Sequence, residues 1–337
     1  MKLSWKQYDL KLKHVFRIAR SEEAVAPVVI VELTHDGITG HGEASPSGRY
    51  HESPESVVAF LKKIDLTKFS DPFVIEKILA YVDGIAAENT SAKCAVDIAL
   101  HDWVGKKLGA PLYKLWGLDK SKTPLCSFTI GIDSKDVVAQ KVREAGEYPV
   151  LKIKAGLDND KEMIATIRKI TDKVLRVDAN EGWKKKELAL ERIKWLKDQN
   201  VEFIEQPMPA AQFDDIKWLR DRVDMPIIAD ESVIRLSDLP MLAQAYDGIN
   251  IKLMKCTGVR EALRMIHTAR ALNMKIMMGC MIESAVAISA AAHLSPLIDY
   301  ADLDGNVLIT NDPFDGVRCI KGRLTLSDKP GFGITPR

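Results

Sequence analysis

Three short apolar runs each close on a carboxylate. Asp178 ends Leu175-Arg176-Val177-Asp178, Glu205 ends Phe203-Ile204-Glu205, and Asp230 ends Ile227-Ile228-Ala229-Asp230. One such acid would read as the cap of a following helix. Three at matching places in consecutive units read as a set brought to one point, where their charges repel unless a cation sits between them. All-oxygen donors suit a hard octahedral ion such as Mg²⁺ better than zinc.

Lysines bracket this set along the chain. Lys152 and Lys154 alternate with Leu151, Ile153 and Ala155, so period two places both on one face of a strand. An amphipathic surface strand gives the same pattern. A strand of a parallel barrel, however, packs its aliphatic face against helices and leaves only the interior for lysines. In Ile249-Asn250-Ile251-Lys252-Leu253-Met254-Lys255, Asn250 and Lys252 share a face. Lys255 lies just past the strand end and faces the mouth only if the chain bends there. A free lysine, with a pKa of about 10.4, is a poor base near neutrality. Burial, a neighbouring ammonium and a divalent cation each lower it. The chemistry this set suits is removal of a proton beside a carboxylate, with a Lewis acid stabilising the enolate. Lysines on strands two and six stand on opposite sides of the mouth, and two bases on opposite faces are what epimerisation requires.

Residues that act at one point must be carried by converging elements. Beyond about residue 121, short apolar runs recur at 125–132, 150–155, 175–179, 202–205, 227–229, 248–253, 276–279 and, more weakly, 300–303. Each is followed by a helical pattern, and the spacing of roughly 20 to 27 residues is the period of a βα unit. Such a series predicts a closed barrel whose active site lies at the C-terminal ends of its strands. The first 120 residues read differently. Strand patterns near 2–12 and 26–34 lead through His35-Asp36-Gly37 into Ile38-Thr39-Gly40-His41-Gly42-Glu43, a hairpin signal. Helical patterns follow at 54–64, 73–83 and 90–108. The expected organisation is an α+β lobe over 1–120, a barrel over 121–309, and a Gly/Pro-rich tail over 310–337 that returns to the first lobe.

Bulk properties narrow the function. Of 337 residues, 46% are hydrophobic and 28% charged, ordinary values for a globular protein. Lys plus Arg number 48 against 47 Asp plus Glu, so no net charge draws the chain to nucleic acid or membranes. Cys94, Cys126, Cys256, Cys280 and Cys319 form no CxxC pair, which argues against a disulfide framework or zinc site and for a reducing cytoplasm. The opening Met1-Lys2-Leu3-Ser4-Trp5-Lys6 lacks the apolar run of a signal peptide, so a soluble cytoplasmic protein is expected. A homo-oligomer is left open.

The motifs together resemble the enolase superfamily, in its muconate-lactonizing-enzyme branch. The likeness spans nearly the whole chain. It includes Ala95-Val96-Asp97-Ile98-Ala99-Leu100-His101-Asp102-Trp103 running on to Gly109, then Pro111-Leu112 and Leu115-Trp116-Gly117. It continues through Lys152 and Lys154, the three acid-bearing strands and Lys252-Leu253-Met254-Lys255. The resemblance implies an α/β fold, a (β/α)₇β barrel with an α+β capping domain. It also implies Mg²⁺ on Asp178, Glu205 and Asp230, Lys154 and Lys255 as the two acid/base residues, and electrostatic help from Lys152. Thr257-Gly258 stands where a glycine pair is common, which leaves the choice between Lys255 and Lys252 open.

Within the branch the chain looks most like the dipeptide epimerases of the L-Ala-D/L-Glu type. Asp302 and Asp304, in Asp302-Leu303-Asp304, share a strand face suited to a substrate α-ammonium, although Asp304-Gly305 is also a turn signal. Gly279-Cys280-Met281-Ile282-Glu283-Ser284 adds to the likeness. Loops near 16–25 and 45–52 are expected to cover the mouth, with Arg20 or Arg49 pairing a glutamyl carboxylate and Tyr50 and His51 lining the pocket. His101, His267 and His293 read as packing residues, and the Met-rich 274–281 stretch as barrel core. The implied reaction interconverts L,L- and L,D-dipeptides through a metal-stabilised enolate. Two readings compete: an o-succinylbenzoate synthase or cycloisomerase lyase of the same branch, and a non-catalytic barrel that binds a small acid.

Overall fold

The computed structural model describes residues 1–337. Its first element is an antiparallel sheet of β1 (Lys2–Ile18), β2 (Ser21–His35) and β3 (Ile38–Ala44). β1 outruns the expected 2–12 because pairing resumes after a register shift between Lys11 and Phe16, carrying the β1–β2 hairpin out to Ile18 and Ser21. Helices α1 (Pro54–Leu61), α2 (Ile75–Asp83) and α3 (Thr90–Lys107) follow, then a single turn, α4 (Leu112–Leu115). α3 is buried without a break from Ser91 to Gly105, so it is no amphipathic surface helix. It lies beneath the sheet, and Gly40 and Gly42 of β3 let it in: a Cβ on either would come within about 2 Å of the Ala99 or Ala95 carbonyl oxygen.

Eight parallel strands then form the barrel, in order β4 (Phe128–Ile130), β5 (Val150–Lys154), β6 (Val174–Asp178), β7 (Val201–Glu205), β8 (Ile227–Ala229), β9 (Gly248–Lys252), β10 (Lys275–Gly279) and β11 (Tyr300–Asp302). A parallel bridge between Cys126 and Ala301 joins the two edge strands. The intervening helices are α5 (Lys135–Glu144), α6 (Asp160–Arg168), α7 (Lys186–Lys197), α8 (Phe213–Arg220), α9 (Leu239–Leu242), α10 (Leu253–Cys256), α11 (Val259–Ala271) and α12 (Ala285–His293). No helix follows β11 in the parallel series, which gives the expected (β/α)₇β order. The tail instead docks at several places. The Phe332 N–H donates to Asp102 of α3, and Gly322 accepts from the Cys126 N–H.

Strand register sets which side chains meet inside. Lys152 and Lys154 pair in register with Arg176 and Asp178, which in turn face Phe203 and Glu205. Phe203, Ile228 and Met277 form a small apolar cluster inside the barrel with Tyr300 against it. The Arg176 guanidinium lies over both the Phe203 and Tyr300 rings, 5.5 and 4.9 Å from their centroids, and the two ring centroids are 4.8 Å apart. Above this floor the inward positions are mostly charged or amide-bearing (Lys152, Lys154, Asp178, Glu205, Asn250 and Lys252), with Thr129 beside Lys152 and Gly279 against Asn250. The aliphatic face packs outward, in the cluster that holds Leu151, Ile153, Val177, Ile204, Ile249 and Ile251.

The lobes are joined by buried acids as well as apolar surface. Glu43, at the end of β3, is fully buried and accepts from the Ser284 and Ala287 N–H groups at the start of α12. Burial lifts its pKa to about 7, against hydrogen bonds from Ser284 and Ala287 that pull the other way. A carboxyl weaker in the folded than in the unfolded chain stabilises the fold fully below its unfolded pKa of 4.5, and that contribution is lost as pH rises through about 7. We therefore expect the melting temperature to fall by several degrees between pH 5 and 8.5, and Glu43→Gln to flatten that fall. Thermal melts of both proteins across the range measure it.

Candidate active site

At the C-terminal rim the three sequence-predicted acids converge. Asp178, Glu205 and Asp230 each place a carboxylate oxygen within 4.8 Å of the others, and all three are buried. Two of them lie next to strained backbone. Asn180 and Glu181, just past Asp178, have φ of 44° and 66°, and Gln206 after Glu205 has φ of 34°. Burial opposes ionisation of Asp178, but the Lys154 and Lys152 ammonium groups outweigh it and hold the acid down at about 2. Glu205 goes the other way, pushed up to about 8 by burial and then by the Asp178 carboxylate. Buried acids that cannot all ionise together, with only hard oxygen donors, fit a divalent cation of the Mg²⁺ kind.

Lysines surround the acids. Lys152 bridges Glu205 at 2.8 Å, Asp302 at 2.7 Å and Asp178 at 3.2 Å. Lys154 donates to Asp178 at 2.7 Å, and Lys252, on the opposite wall, to Asp230 at 2.8 Å. A cavity of about 390 Å³ opens above, and Lys152, Lys154 and Lys252 all border it, with Asp302 and Asp304 on the β11 side. Asp302 is held ionised against burial by Lys152. Asp304, which accepts from the Thr129 N–H at 2.7 Å, is raised to about 7 by burial and by Asp302.

Of the two lysines between which the sequence left the choice open, Lys255 lies away from the mouth. It is fully buried and does not border the cavity. The chain does bend after Lys252, into the turn of α10, but that turn directs Lys255 beneath the rim. There its ammonium donates to the Asp230 main-chain oxygen, Asp230 Oδ1 and the Asn250 main-chain oxygen. All three hydrogens have acceptors, so Lys255 is a clamp between the ends of β8 and β9. Lys252 is the lysine with access.

The capping loops also differ from expectation. Arg20 and Arg49 do border the cavity, but each is already paired across the lobe interface. Arg20 donates to Glu231 at 2.6 Å, and Arg49 makes a two-pronged contact to Glu181 at 3.0 and 3.1 Å. Glu231 and Glu181 were missed in the sequence, although each lies within three residues of a metal-site acid. Tyr50 and His51 are not part of the cavity wall: Tyr50 is half-buried and His51 exposed. Met281 lines the cavity, whereas Met274, Met277 and Met278 are core as expected. His101 and His293 are buried packing residues, but His267 is exposed on α11.

Carboxylates converging on a barrel rim between lysines of opposite walls are accompanied by sequence relationships over the whole chain. Residues 7–117 match the family described as "Mandelate racemase / muconate lactonizing enzyme, N-terminal domain", and 135–337 match "Enolase C-terminal domain-like". The chain belongs to the enolase superfamily, in its mandelate racemase and muconate lactonizing enzyme branch. Similar proteins in that branch are dipeptide epimerases. The L-Ala-D/L-Glu epimerase of Bacteroides thetaiotaomicron is 55% identical over 99% of this chain and 88% of its own. The L-Ala-D/L-amino acid epimerase of Pedosphaera parvula is 46% identical over 97% and 96%. A crystal structure of the Enterococcus faecalis dipeptide epimerase with Mg and L-Leu-L-Tyr superposes with a TM-score of 0.92, at 34% identity, covering 99% of this chain and 98% of that one.

Proposed function

We propose that this protein is a Mg²⁺-dependent dipeptide epimerase that interconverts L,L- and L,D-dipeptides, with L-Ala-Glu as the first substrate to test. The observation that carries the reading is a cavity walled by lysines on opposite sides, beside three acids able to hold a metal. Mg²⁺ on Asp178, Glu205 and Asp230 would supply Lewis-acid stabilisation of the charge that develops on the substrate carboxylate. Lys154 and Lys252 exchange the α-proton, one taking it from its face while the other returns a proton to the opposite face. Lys152, bound to Glu205, Asp302 and Asp178, keeps a positive charge beside the developing negative one. The names of the similar proteins support the dipeptide substrate class.

Asp302 and Asp304 hold the substrate α-ammonium in this reading, which disfavours the lyases of the branch, whose substrates lack that group. A charge-assisted hydrogen bond of this kind is worth about 1.5–3 kcal/mol, or roughly ten- to a hundredfold in affinity. Asp304→Asn should raise the dipeptide KM by that factor while Mg²⁺ affinity, read by calorimetry, stays unchanged. Equal loss of both would assign Asp304 to the metal site. Because Asp304 loses its proton near 7, KM should fall as pH rises from 6 to 8, and the Asn variant should lose that slope. No helix is long and apolar enough to cross a membrane, and all five cysteines are free, so we place the enzyme in the cytoplasm. The test of the reaction is chiral analysis after incubation with a panel of L,L-dipeptides and Mg²⁺. L,D-epimer formation supports it; succinylbenzoate formation from its hydroxy-acid precursor, without epimerisation, would move the assignment to the lyases.

A further inference from the structure

We infer that Asp97, in the capping lobe, is a positioning residue for the base on β9. The inference rests on the two-lysine reading above. Asp97 lies in the middle of α3, 1% exposed, far in sequence from the barrel rim. Its carboxylate nevertheless accepts from two barrel N–H groups, Val259 at 2.8 Å and Arg260 at 3.1 Å, the first two residues of α11. These contacts fix the turn that follows α10, where Thr257 and Gly258 have φ of 70° and 115°.

The fit at that turn is close. A Cβ on Gly258 would stand 2.5 Å from Asp97 Cγ, so only glycine lets the acid seat there. The Gly258 N–H in turn donates to the Leu253 carbonyl at 3.1 Å, which ties the turn to the first residue of α10. A second capping-lobe contact grips the same segment: the Ser45 N–H donates to Met254 Sδ at 3.2 Å. The segment 253–258 is therefore held from the capping lobe by Asp97 and Ser45 and from the barrel by the Lys255 clamp. Lys252 is the residue immediately before it. A shift of the turn moves the Lys252 backbone, while Lys154, on the opposite wall, is set by β5 and by its bond to Asp178 at 2.7 Å, neither of which touches Asp97. A misplacement of about 1 Å at a reacting group costs on the order of a hundredfold in rate.

With the Lys255 ammonium still fastened to Asp230 and Asn250, the effect of losing Asp97 falls mainly on Lys252 and is one-sided, and a purely structural role is not. The test uses full-length protein with Mg²⁺ in D₂O and follows α-proton exchange by NMR, started separately from L-Ala-L-Glu and L-Ala-D-Glu. Lys252→Ala identifies the epimer whose proton Lys252 removes. In Asp97→Ala that epimer should exchange at least tenfold more slowly than in wild type, and the other within about twofold. Asp97→Asn, which keeps one acceptor oxygen, should show a smaller loss of the same handedness. Gly258→Ala, which disturbs the contact from the barrel side, should reproduce it and decides the matter if Asp97→Ala does not fold. Proportional loss of both epimers, or no loss, in these variants beside an active wild type would overturn the inference alone. A folded, Mg²⁺-loaded wild type that exchanges neither epimer of these or any other dipeptide tested would overturn the proposed function and this inference with it.

Discussion

Alanine at Lys154 or at Lys252 is expected to abolish epimerisation while leaving exchange of the α-proton of one epimer with solvent. General acid–base groups contribute about 10²–10⁴-fold, so loss of either should lower conversion by at least that range. The two variants should retain opposite epimers, because Lys154 on β5 and Lys252 on β9 stand across the mouth, with three strands between them on either side. The surviving lysine still removes the proton on its own face and returns deuterium there. NMR in D₂O, starting from each pure epimer, reads both outcomes at once. Lys255→Ala is the informative third variant. Its ammonium has no access to the cavity and braces Asp230 and Asn250, so both epimers should slow together. One-sided exchange in the Lys255 variant, with proportional loss in the Lys252 variant, would exchange the two assignments.

Glu205→Gln is expected to weaken Mg²⁺ binding at least about a hundredfold, since even outer partners of a metal ligand are worth 10- to 100-fold. Glu205 is the middle member of the triad, reached by Asn250 at 2.7 Å and Lys152 at 2.8 Å, so the amide fits the same space without its charge. The loss of activity should be partly restored by millimolar Mg²⁺, and chelation should silence the wild type. Calorimetric titration of Mg²⁺ into both proteins measures the affinity difference directly. Unaltered affinity in the variant would remove Glu205 from the metal site.

Much of this site is legible in the linear sequence because strand chemistry has short periods. Alternation alone puts Lys152 with Lys154 and Asn250 with Lys252 on inward faces, and the βα spacing brings Asp178, Glu205 and Asp230 to one rim. What fails to read is whatever depends on the chain leaving that period. Whether Lys252 or Lys255 faces the mouth depends on the turn of α10 after β9, a bend that period two does not encode. Arg20 and Arg49 read as free cations because their partners, Glu231 and Glu181, lie 211 and 132 residues away on the other lobe. Glu181 reaches Arg49 only because the second and third residues after the strand, Asn180 and Glu181, take left-handed conformations. The extension of β1 to Ile18 likewise follows a register shift that restores pairing after an interruption.

The pairing of both arginines bears on how the mouth is covered. The β1–β2 hairpin is fastened by Arg20 to Glu231, and the 45–50 loop by Arg49 to Glu181, so the cavity roof is tied to the rim that holds the acids. Under the proposed function, a substrate side-chain carboxylate entering beside Arg20 would compete with Glu231 for the same guanidinium. Selectivity at that end of the pocket would then be a balance between an internal and an incoming carboxylate rather than capture by a free cation.

The measurement that bears most directly on the central claim is deuterium incorporation at the α-carbon of L-Ala-L-Glu and L-Ala-D-Glu by the wild-type protein in D₂O. With Mg²⁺, both epimers should gain α-deuterium and converge on one mixture, and with chelator neither should change. Folded, Mg²⁺-loaded protein that exchanges no α-proton in these or any other dipeptide tested would contradict the account.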